Sequence, residues 1–190
     1  MNKPFITDKT FKNEDYTQIA LVKGEYENCI FEGCNFEGSY LDNQNFMECE
    51  FIDCNLSNTN ITNTTFNEIT FSHCKMMGLK FEQCNDFLMA FSFLDCNLDF
   101  SSFYGLRLKK QQFVNCKMNK VDFSESKLPE ANFDNCNLDG AIFQQTNLEK
   151  ANFETAFNFS INPEINNIKK AVFTKDKLIG LLRKYDIVVK

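Results

Sequence analysis

Large apolar residues recur at every fifth position over most of the chain, and this spacing constrains the fold more than any other feature. It fits neither the 3.6-residue period of an α-helix nor the two-residue period of a β-strand. The first run of such sites reads Tyr26, Phe31, Phe36, Leu41, Phe46, Phe51, Leu56, Ile61, Phe66, Phe71, Met76 and Phe81. The second run reads Phe93, Leu98, Phe103, Leu108, Phe113, Met118, Phe123, Leu128, Phe133, Leu138, Phe143, Leu148 and Phe153. The sequence therefore predicts a structure built from five-residue repeats.

A second residue, mostly small, precedes each large one by two positions. Eight of the nine cysteines occupy this column, among them Cys34 and Cys54, and Ala, Ser and Thr fill many of its other sites. Residues two apart on an extended backbone point to the same side. Each unit is therefore predicted to turn two side chains inward and three polar ones outward.

The units resemble those of the pentapeptide-repeat family, which read roughly A-(D/N)-L-x-x, with Cys or Ser often replacing Ala and Phe replacing Leu. The closest matches are Cys34-Asn35-Phe36, Cys54-Asn55-Leu56, Ala131-Asn132-Phe133, Cys136-Asn137-Leu138 and Ala151-Asn152-Phe153. The resemblance implies an all-β fold, a right-handed quadrilateral parallel β-helix in which stacked coils bury one another's core. We expect an N-terminal cap at 1–23, about six coils at 24–157, and a C-terminal helical segment at 158–190 for capping or dimerisation.

The square coil of this family has four units per turn, so each column should recur every 20 residues. Phenylalanines do so in two sets that are offset by two residues: Phe31, Phe51 and Phe71, then Phe93, Phe113, Phe133 and Phe153. The cysteine column has the same offset between Cys74 and Cys96. A two-residue insertion is therefore predicted within residues 83–91, as a bulge or a small loop.

The cysteine column is predicted to serve packing. Zinc sites need converging ligands, usually from closely spaced Cys pairs, whereas these cysteines run in a file at the strand spacing of about 4.8 Å. Disulfides are sterically conceivable at that separation, but a cytosolic setting disfavours them. The chain contains one histidine, His73, at an outward corner position where a solvated surface residue is expected. No metal site and no cofactor are predicted.

Catalysis and membrane insertion are not expected. The sequence lacks a nucleophile elbow, a phosphate-binding glycine loop and an H-E-x-x-H motif. No stretch of 18 apolar residues is present, and the start of the chain does not resemble a signal peptide, so the cytoplasm is the expected compartment.

The C-terminal segment departs from the repeat. Asn162-Pro163 resembles a helix start, and Thr174 is the predicted N-cap of a helix that runs to about Tyr185. Residues 187–189 resemble a short strand. The segment either only caps the last coil or also forms a two-fold dimer, as the resemblance to the quinolone-resistance (Qnr-type) branch of the family implies. The candidate dimer residues are Leu178, Leu181, Leu182, Tyr185, Ile187 and Val189.

Charge is distributed unevenly along the chain. The net charge is −6, yet residues 24–105 contain 13 acidic and 2 basic residues, a net of −11. Four coils at the strand spacing form a rod about 20 Å long. A net charge of −11 over that length is roughly one charge per 1.8 Å, close to the one per ≈ 1.7 Å of duplex DNA. Twelve of the acidic residues fall on outward positions: Glu25, Glu27, Glu32, Glu37, Asp42, Glu48, Glu50, Asp53, Glu68, Glu82, Asp95 and Asp99.

This acidic surface allows two interpretations of function. Qnr-type relatives are proposed to imitate DNA and to protect DNA gyrase from quinolones, so the resemblance implies a DNA mimic that binds gyrase or topoisomerase IV. The alternative is a rigid protein-interaction scaffold whose partner is unknown, with an acidic surface that serves solubility. Either way, nucleic acid is not expected as a direct ligand, because binding phosphates needs a basic surface.

Overall fold

The computed structural model describes residues 3–188. It consists of two compact units, an N-terminal unit that ends at Leu98 and a C-terminal unit that begins at Asp99. Within the described part of each unit, every strand pairing is parallel.

The N-terminal unit is built from three- and four-residue strands and one short 3₁₀ turn at Phe81–Gln83. The strands are β1 (Phe5–Thr7), β2 (Thr10–Lys12), β3 (Glu25–Glu27), β4 (Ile30–Glu32), β5 (Asn45–Met47), β6 (Glu50–Ile52), β7 (Thr65–Asn67), β8 (Ile69–Ser72) and β9 (Phe91–Leu94). Strands β1, β3, β5 and β7 form one sheet, here named face A, and β2, β4, β6, β8 and β9 form a second, face B. Isolated bridges through residues 15, 35, 55, 75 and 97 form face C, and a bridge between residues 40 and 60 marks face D.

The chain turns a corner after each short strand because the residue there adopts a left-handed conformation. Gly33 (φ 65°), Asn28 (φ 50°) and Asp53 (φ 54°) are residue types that tolerate this region. Glu48 (φ 51°) and Glu68 (φ 55°) occupy equivalent corners with a less suitable residue type. A strand of three residues allows only its central side chain to point inward, so the strand and the corner together produce the repeat of five.

The register confirms both the 20-residue column and the insertion. Phe31 pairs with Phe51, and Phe51 with Phe71. Phe71 then pairs with Phe93, a step of 22 residues. Since Thr65 still pairs with Asn85 at a step of 20, the two extra residues lie between Asn85 and Phe91.

Stacked phenylalanine rings fill the interior. The rings of Phe31 and Phe51 lie 4.8 Å apart and are nearly parallel at 10°. Phe36 meets Phe31 edge-on at 67°, and all three side chains are fully buried. Parallel stacking between coils and edge contacts within a coil are both favourable ring geometries, worth about 0.5–1.5 kcal/mol per pair beyond the burial itself.

Part of the predicted N-terminal cap already forms a coil. The Phe11 ring stacks on Phe31 at 4.8 Å, and Tyr16 stacks on Phe36 at 4.6 Å. Both residues follow the five-residue register of the first run.

The C-terminal unit contains β10 (Gln112–Val114) and β11 (Asn132–Asp134), which pair with each other, and a series of isolated parallel bridges. The coil geometry continues into the segment that the sequence assigned to the cap. Asn147 bridges to Asn167, and the Phe173 ring stacks on Phe153 at 5.2 Å and 5°.

Three details of the predicted C-terminal segment are wrong. Asn162-Pro163 begins a turn, because the Asn162 side chain accepts a hydrogen bond from the Glu164 amide at 3.0 Å. The helical segment lies within the predicted bounds, with Thr174 at its N-cap position and Tyr185 at its end, but it consists of a 3₁₀ turn at Lys175–Lys177, a helix α1 at Ile179–Leu182 and a second 3₁₀ turn at Arg183–Tyr185. The Thr174 side chain makes no capping hydrogen bond. Ile187 and Val188 are not in a strand, and Val189 lies outside the described residues.

These features confirm the predicted fold class, an all-β right-handed quadrilateral parallel β-helix with a short C-terminal helical cap. The inward column of phenylalanines keeps a step of 20 residues except at the insertion, where the step is 22. Every coil must match its neighbour in register, so the repeat in the sequence translates directly into stacking.

Candidate functional site

The predicted acidic residues all lie on the surface. Each of the twelve is exposed or half-buried. Each occupies either a corner or one of the two outward positions that flank a buried large residue, apart from Glu82, which lies in the 3₁₀ turn. The structure therefore leaves these carboxylates accessible to a partner, but it spreads them over several faces.

Half of the predicted acidic residues share one side of the N-terminal unit. This acidic wall consists of face B and the two corners that border it. Its carboxylates are Glu32, Glu48, Glu50, Asp53, Glu68 and Asp95. They lie over the four coils that contain β4, β6, β8 and β9.

The other predicted acidic residues are not part of this wall. Glu25 and Glu27 lie on face A. Glu37 lies beside face C, and Asp42 and Glu82 lie on or beside face D. Asp99 belongs to the C-terminal unit, where its Oδ1 accepts hydrogen bonds from the amide and the side chain of Asn119, both at 2.8 Å.

Neighbouring cations neutralise some of these charges. Lys12 contacts Glu32 at 2.7 Å, and Lys23 contacts Asp42 at 2.7 Å. The hydrogen bond from Lys23 holds the pKa of the Asp42 carboxyl below its usual value. Within the described residues, His73 lies 3.5 Å from Asp95, at the outward corner that the sequence predicted for it.

The density of carboxylates on the acidic wall is comparable to that of a nucleic-acid strand. Four stacked coils span roughly 14–19 Å at a strand spacing of about 4.8 Å. Since Glu32 is paired with Lys12, five unpaired carboxylates over that length give about one charge per 3–4 Å, close to the one per 3.4 Å of a single DNA strand. A protein groove that binds phosphates therefore meets a similar charge density here.

The cysteines lie in the interior, as predicted. All nine are free and buried. The Cys54 thiol donates a weak hydrogen bond to the carbonyl of Phe31 at 3.2 Å, and the Thr59 hydroxyl does the same to Phe36 at 2.7 Å. Cys and Thr therefore fill one structural role, a small side chain that satisfies a buried carbonyl of the neighbouring coil.

Burial also lowers the reactivity of two of the thiols. It raises the pKa of Cys49 to about 11 and raises the pKa of Cys84 as well. A protonated thiol is a poor nucleophile and a poor metal ligand. Among residues 3–188, no cluster of three or more His, Cys, Asp or Glu side chains is placed to hold a metal ion.

Sequence reasoning did not identify a basic face on the C-terminal unit. Arg107 and Lys127 bridge to each other on adjacent coils. Further cations lie at the end of this face or at the next corner: Lys109, Lys110, Lys150, Lys169 and Lys170. Glu130 and Glu149 occupy the same columns, and Lys109 forms a salt bridge with Glu130, so the face is basic in balance. The recurrence of Lys at positions 110, 150 and 170, in steps of 20 or 40 residues, was the available signal.

The candidate dimer residues differ in their exposure. Leu178 is 43% exposed, Tyr185 50% and Ile187 51%, whereas Leu181 and Leu182 are half-buried. The Tyr185 hydroxyl donates a hydrogen bond to Glu164 at 2.8 Å, and Lys184 forms a salt bridge with the same carboxylate. Part of this segment therefore packs against its own unit.

The repeat, the square coils and the inward Phe and Cys columns together define a pentapeptide-repeat protein. A family profile described as "Pentapeptide repeat region" matches residues 24–91 and 87–156, and the chain belongs to this family. A comparison with curated protein sequences found no match.

Two solved structures are similar to this chain. A trypsin-treated variant of QnrB1, a plasmid-mediated fluoroquinolone resistance protein, has a TM-score of 0.58 and 17% identity, covering 100% of this chain and 92% of that one. HetL, a pentapeptide-repeat protein involved in heterocyst differentiation regulation from the cyanobacterium Nostoc sp. strain PCC 7120, has a TM-score of 0.54 and 14% identity, covering 88% and 84%. Identities this low establish a shared fold alone.

The described residues include no helix that is long and apolar enough to cross a membrane.

Proposed function

We propose that this protein acts without catalysis, by presenting a DNA-like charge surface to a bacterial type II DNA topoisomerase. Gyrase or topoisomerase IV is the proposed partner, fluoroquinolone susceptibility the proposed consequence, and the cytoplasm the proposed location. The observation that carries the proposal is the acidic wall, whose charge density is close to that of one DNA strand. The fold shared with QnrB1, itself a fluoroquinolone resistance protein, adds support.

The rigidity of the wall favours this function. Coils stacked in fixed register hold the backbone positions of the carboxylates at constant spacing, so the wall loses no backbone ordering entropy when it meets a cationic surface. Electrostatic attraction of this kind mainly accelerates association and weakens as salt screens the charges.

The proposal is tested by DNA supercoiling with purified gyrase, with and without ciprofloxacin. We expect micromolar protein to change supercoiling or drug-induced cleavage. Affinity for gyrase, measured by surface plasmon resonance, should fall steeply between 50 and 200 mM salt, by roughly 10³-fold if about six charges are engaged. No effect on either reaction would refute the topoisomerase proposal.

A matched pair of variants isolates the wall. The wall variant combines Glu48→Gln, Glu50→Gln, Asp53→Asn and Glu68→Gln. The control combines Glu125→Gln, Asp139→Asn, Glu149→Gln and Glu154→Gln, which remove the same charges from the C-terminal unit. We expect only the wall variant to lose gyrase affinity and to show a smaller salt dependence. Equal losses in the two variants would mean that net charge acts and the wall does not.

The competing function is a rigid scaffold that recognises a protein by apolar contact. It is favoured by two exposed apolar side chains of the C-terminal unit, Tyr104 (44%) and Ile165 (47%), which line a cleft of about 350 Å³ whose other lining residues are polar or acidic. Affinity for such a partner should change little with salt. The same salt titration therefore separates the two functions.

Dimerisation through the C-terminal segment is also a proposal. Leu178, Tyr185 and Ile187 are the accessible apolar candidates. Ile187→Asp should give a monomer in light scattering if these residues form the interface, whereas Leu181 and Leu182 are less suitable targets because they are half-buried. A wild-type protein that is monomeric at high micromolar concentration would rule the dimer out.

A further inference from the structure

The two-residue insertion creates an apolar ledge at one end of face A. Phe87 and Leu88 lie within it and are 69% and 60% exposed. Leu88 has a φ of 58°, a region that non-glycine residues seldom occupy. Two large apolar side chains are therefore held in solvent by a segment that interrupts an otherwise regular repeat.

The ledge overhangs a groove along the outer surface of face A. The groove has a volume of about 300 Å³. Phe5, 62% exposed, lies at its other end, and Met47, 40% exposed, lies between the two ends. The lining is completed by Glu25, Tyr26, Glu27, Asn45, Phe46, Thr65, Asn67 and Asn85.

The charge of the groove has one sign. Glu25 and Glu27 lie on its lining, and none of the described lining residues is Lys or Arg. Neither carboxylate forms a salt bridge with a described residue. The groove therefore offers two uncompensated negative charges at the Phe5 end and exposed apolar side chains toward the Phe87 end.

The length of the groove matches that of a short helix, whose side chains rather than backbone would enter it. The register places Phe5, Glu25, Asn45, Thr65 and Asn85 on successive coils. Four strand spacings of about 4.8 Å give a length of about 19 Å, which a helix of about 13 residues spans at 1.5 Å per residue. An amphipathic helix is a common occupant of an apolar groove.

We propose that the face A groove binds a cationic amphipathic helix of a partner protein. The helix places large aliphatic side chains against Phe87 and Leu88, and places Lys or Arg two to three turns away against Glu25 and Glu27. This site is separate from the acidic wall on face B and does not depend on the topoisomerase proposal.

The test is fluorescence anisotropy with a labelled 16-residue helical peptide of Ala, Gln, Leu and Lys. In the probe, two Leu and two Lys share one face and are separated by two turns. In the control peptide, which has the same composition, the Lys residues lie on the opposite face. We expect the full-length protein to bind the probe at micromolar concentration and to bind the control about tenfold more weakly.

Two variants locate the binding site. The double variant Phe87→Ser with Leu88→Asn removes the ledge, and the new Asn tolerates the left-handed backbone at position 88. It should weaken probe binding at least tenfold. Glu25→Gln with Glu27→Gln should weaken it severalfold at low salt and little at high salt. The matched controls are Tyr40→Ser, which removes an exposed aromatic residue elsewhere, and Glu14→Gln with Glu37→Gln.

Several results would overturn the proposal. One is absence of probe binding at millimolar peptide, and another is equal binding of probe and control. Unchanged affinity in the ledge variant would exclude the groove as the site.

If light scattering showed a dimer that the ledge variant abolished, the occupant would be a second copy of this chain. If phosphatidylcholine vesicles bound the protein and released the ledge variant, the occupant would be lipid. A gyrase effect that survives in the ledge variant would show that the two sites act separately.

Discussion

The N-terminal unit carries 15 acidic and 6 basic residues, whereas the C-terminal unit carries 11 acidic and 14 basic ones. Their interiors are nearly identical by comparison. Phe31 and Phe51 stack at 4.8 Å in the first unit, and Phe133 and Phe153 stack at 4.8 Å in the second. The buried small residues differ in chemistry, since the first unit contains seven buried cysteines and the second contains two. Coil stacking constrains the inward positions alone, so the outward surface of each unit can acquire its own charge and its own partners.

The largest expected effect tests whether the two interiors are energetically equal. Phe51→Ala and Phe133→Ala each remove a fully buried, stacked ring. We expect each to lower the free energy of unfolding by about 3–5 kcal/mol, because the cavity cannot collapse against rigid coils. Urea unfolding followed by circular dichroism measures this.

Tyr40→Ala is the control for these core variants. Tyr40 is 66% exposed, so its loss should cost less than about 0.5 kcal/mol. A cost below 1 kcal/mol for either phenylalanine would contradict the equivalence of the two interiors.

The next effect concerns the cap, which closes the C-terminal unit. A Cβ added at Gly180 would lie 2.3 Å from the Phe159 ring, and the Ile161 amide donates to the Gly180 carbonyl at 2.9 Å. Gly180→Ala should therefore weaken cap docking by about 1–3 kcal/mol. Hydrogen exchange of the Ile161 amide should accelerate, while exchange at Phe51 stays slow. Unchanged exchange at Ile161 would mean that the cap adjusts without cost.

A pH effect should arise from a buried tyrosine of the N-terminal unit. Burial raises the pKa of Tyr26 to about 12, and its hydroxyl donates to the Val22 carbonyl at 2.5 Å. The folded state therefore holds this proton more tightly than the unfolded state, whose tyrosine titrates near 10. Its contribution is complete below pH 10 and is lost as the pH rises toward 12.

Tyr26→Phe removes this titration. The variant should lose about 1–2 kcal/mol less stability than the wild type between pH 10 and pH 12. Tyr40→Phe changes a 66% exposed residue and should keep the wild-type slope. Equal slopes in Tyr26→Phe and the wild type would refute the assignment.

The smallest effect concerns the corners of the acidic wall. Glu68 has a φ of 55°, which suits Asn better than Glu. Glu68→Asn should stabilise the protein by about 0.5–1 kcal/mol, since it relieves backbone strain and removes one like charge. Glu50→Asn, in strand β6, removes the same charge without that relief and should stabilise less. Thermal unfolding at low and high salt distinguishes the backbone contribution, which salt leaves unchanged, from the charge contribution.

The accuracy of sequence-based reasoning differed along the chain. In the repeats, the Phe31 column and the Cys54 column each indicated the same coil and the same insertion, because every turn repeats one set of steric requirements. Asn162-Pro163 has the residues of a helix start, yet it forms a turn, since the Asn162 side chain bonds to the Glu164 amide and the chain continues into the bridge at Asn167. At the cap, the sequence correctly placed the helical segment between Thr174 and Tyr185, but it did not indicate that the segment is divided into a four-residue helix and two 3₁₀ turns.

The five-residue period by itself determined the inward columns and the outward position of the acidic residues, because a short strand and a corner leave each side chain only one direction. The square coil was what the resemblance to the pentapeptide-repeat family implied. Only the tertiary structure decided which carboxylates share the acidic wall. It also decided that Phe87 and Leu88 form a ledge at the opposite end of the groove from Glu25 and Glu27. Those groupings join residues about 20 to 60 positions apart in the chain, and they depend on the stacking of coils and on the exact place of the insertion. A charge count along the sequence carries neither kind of information.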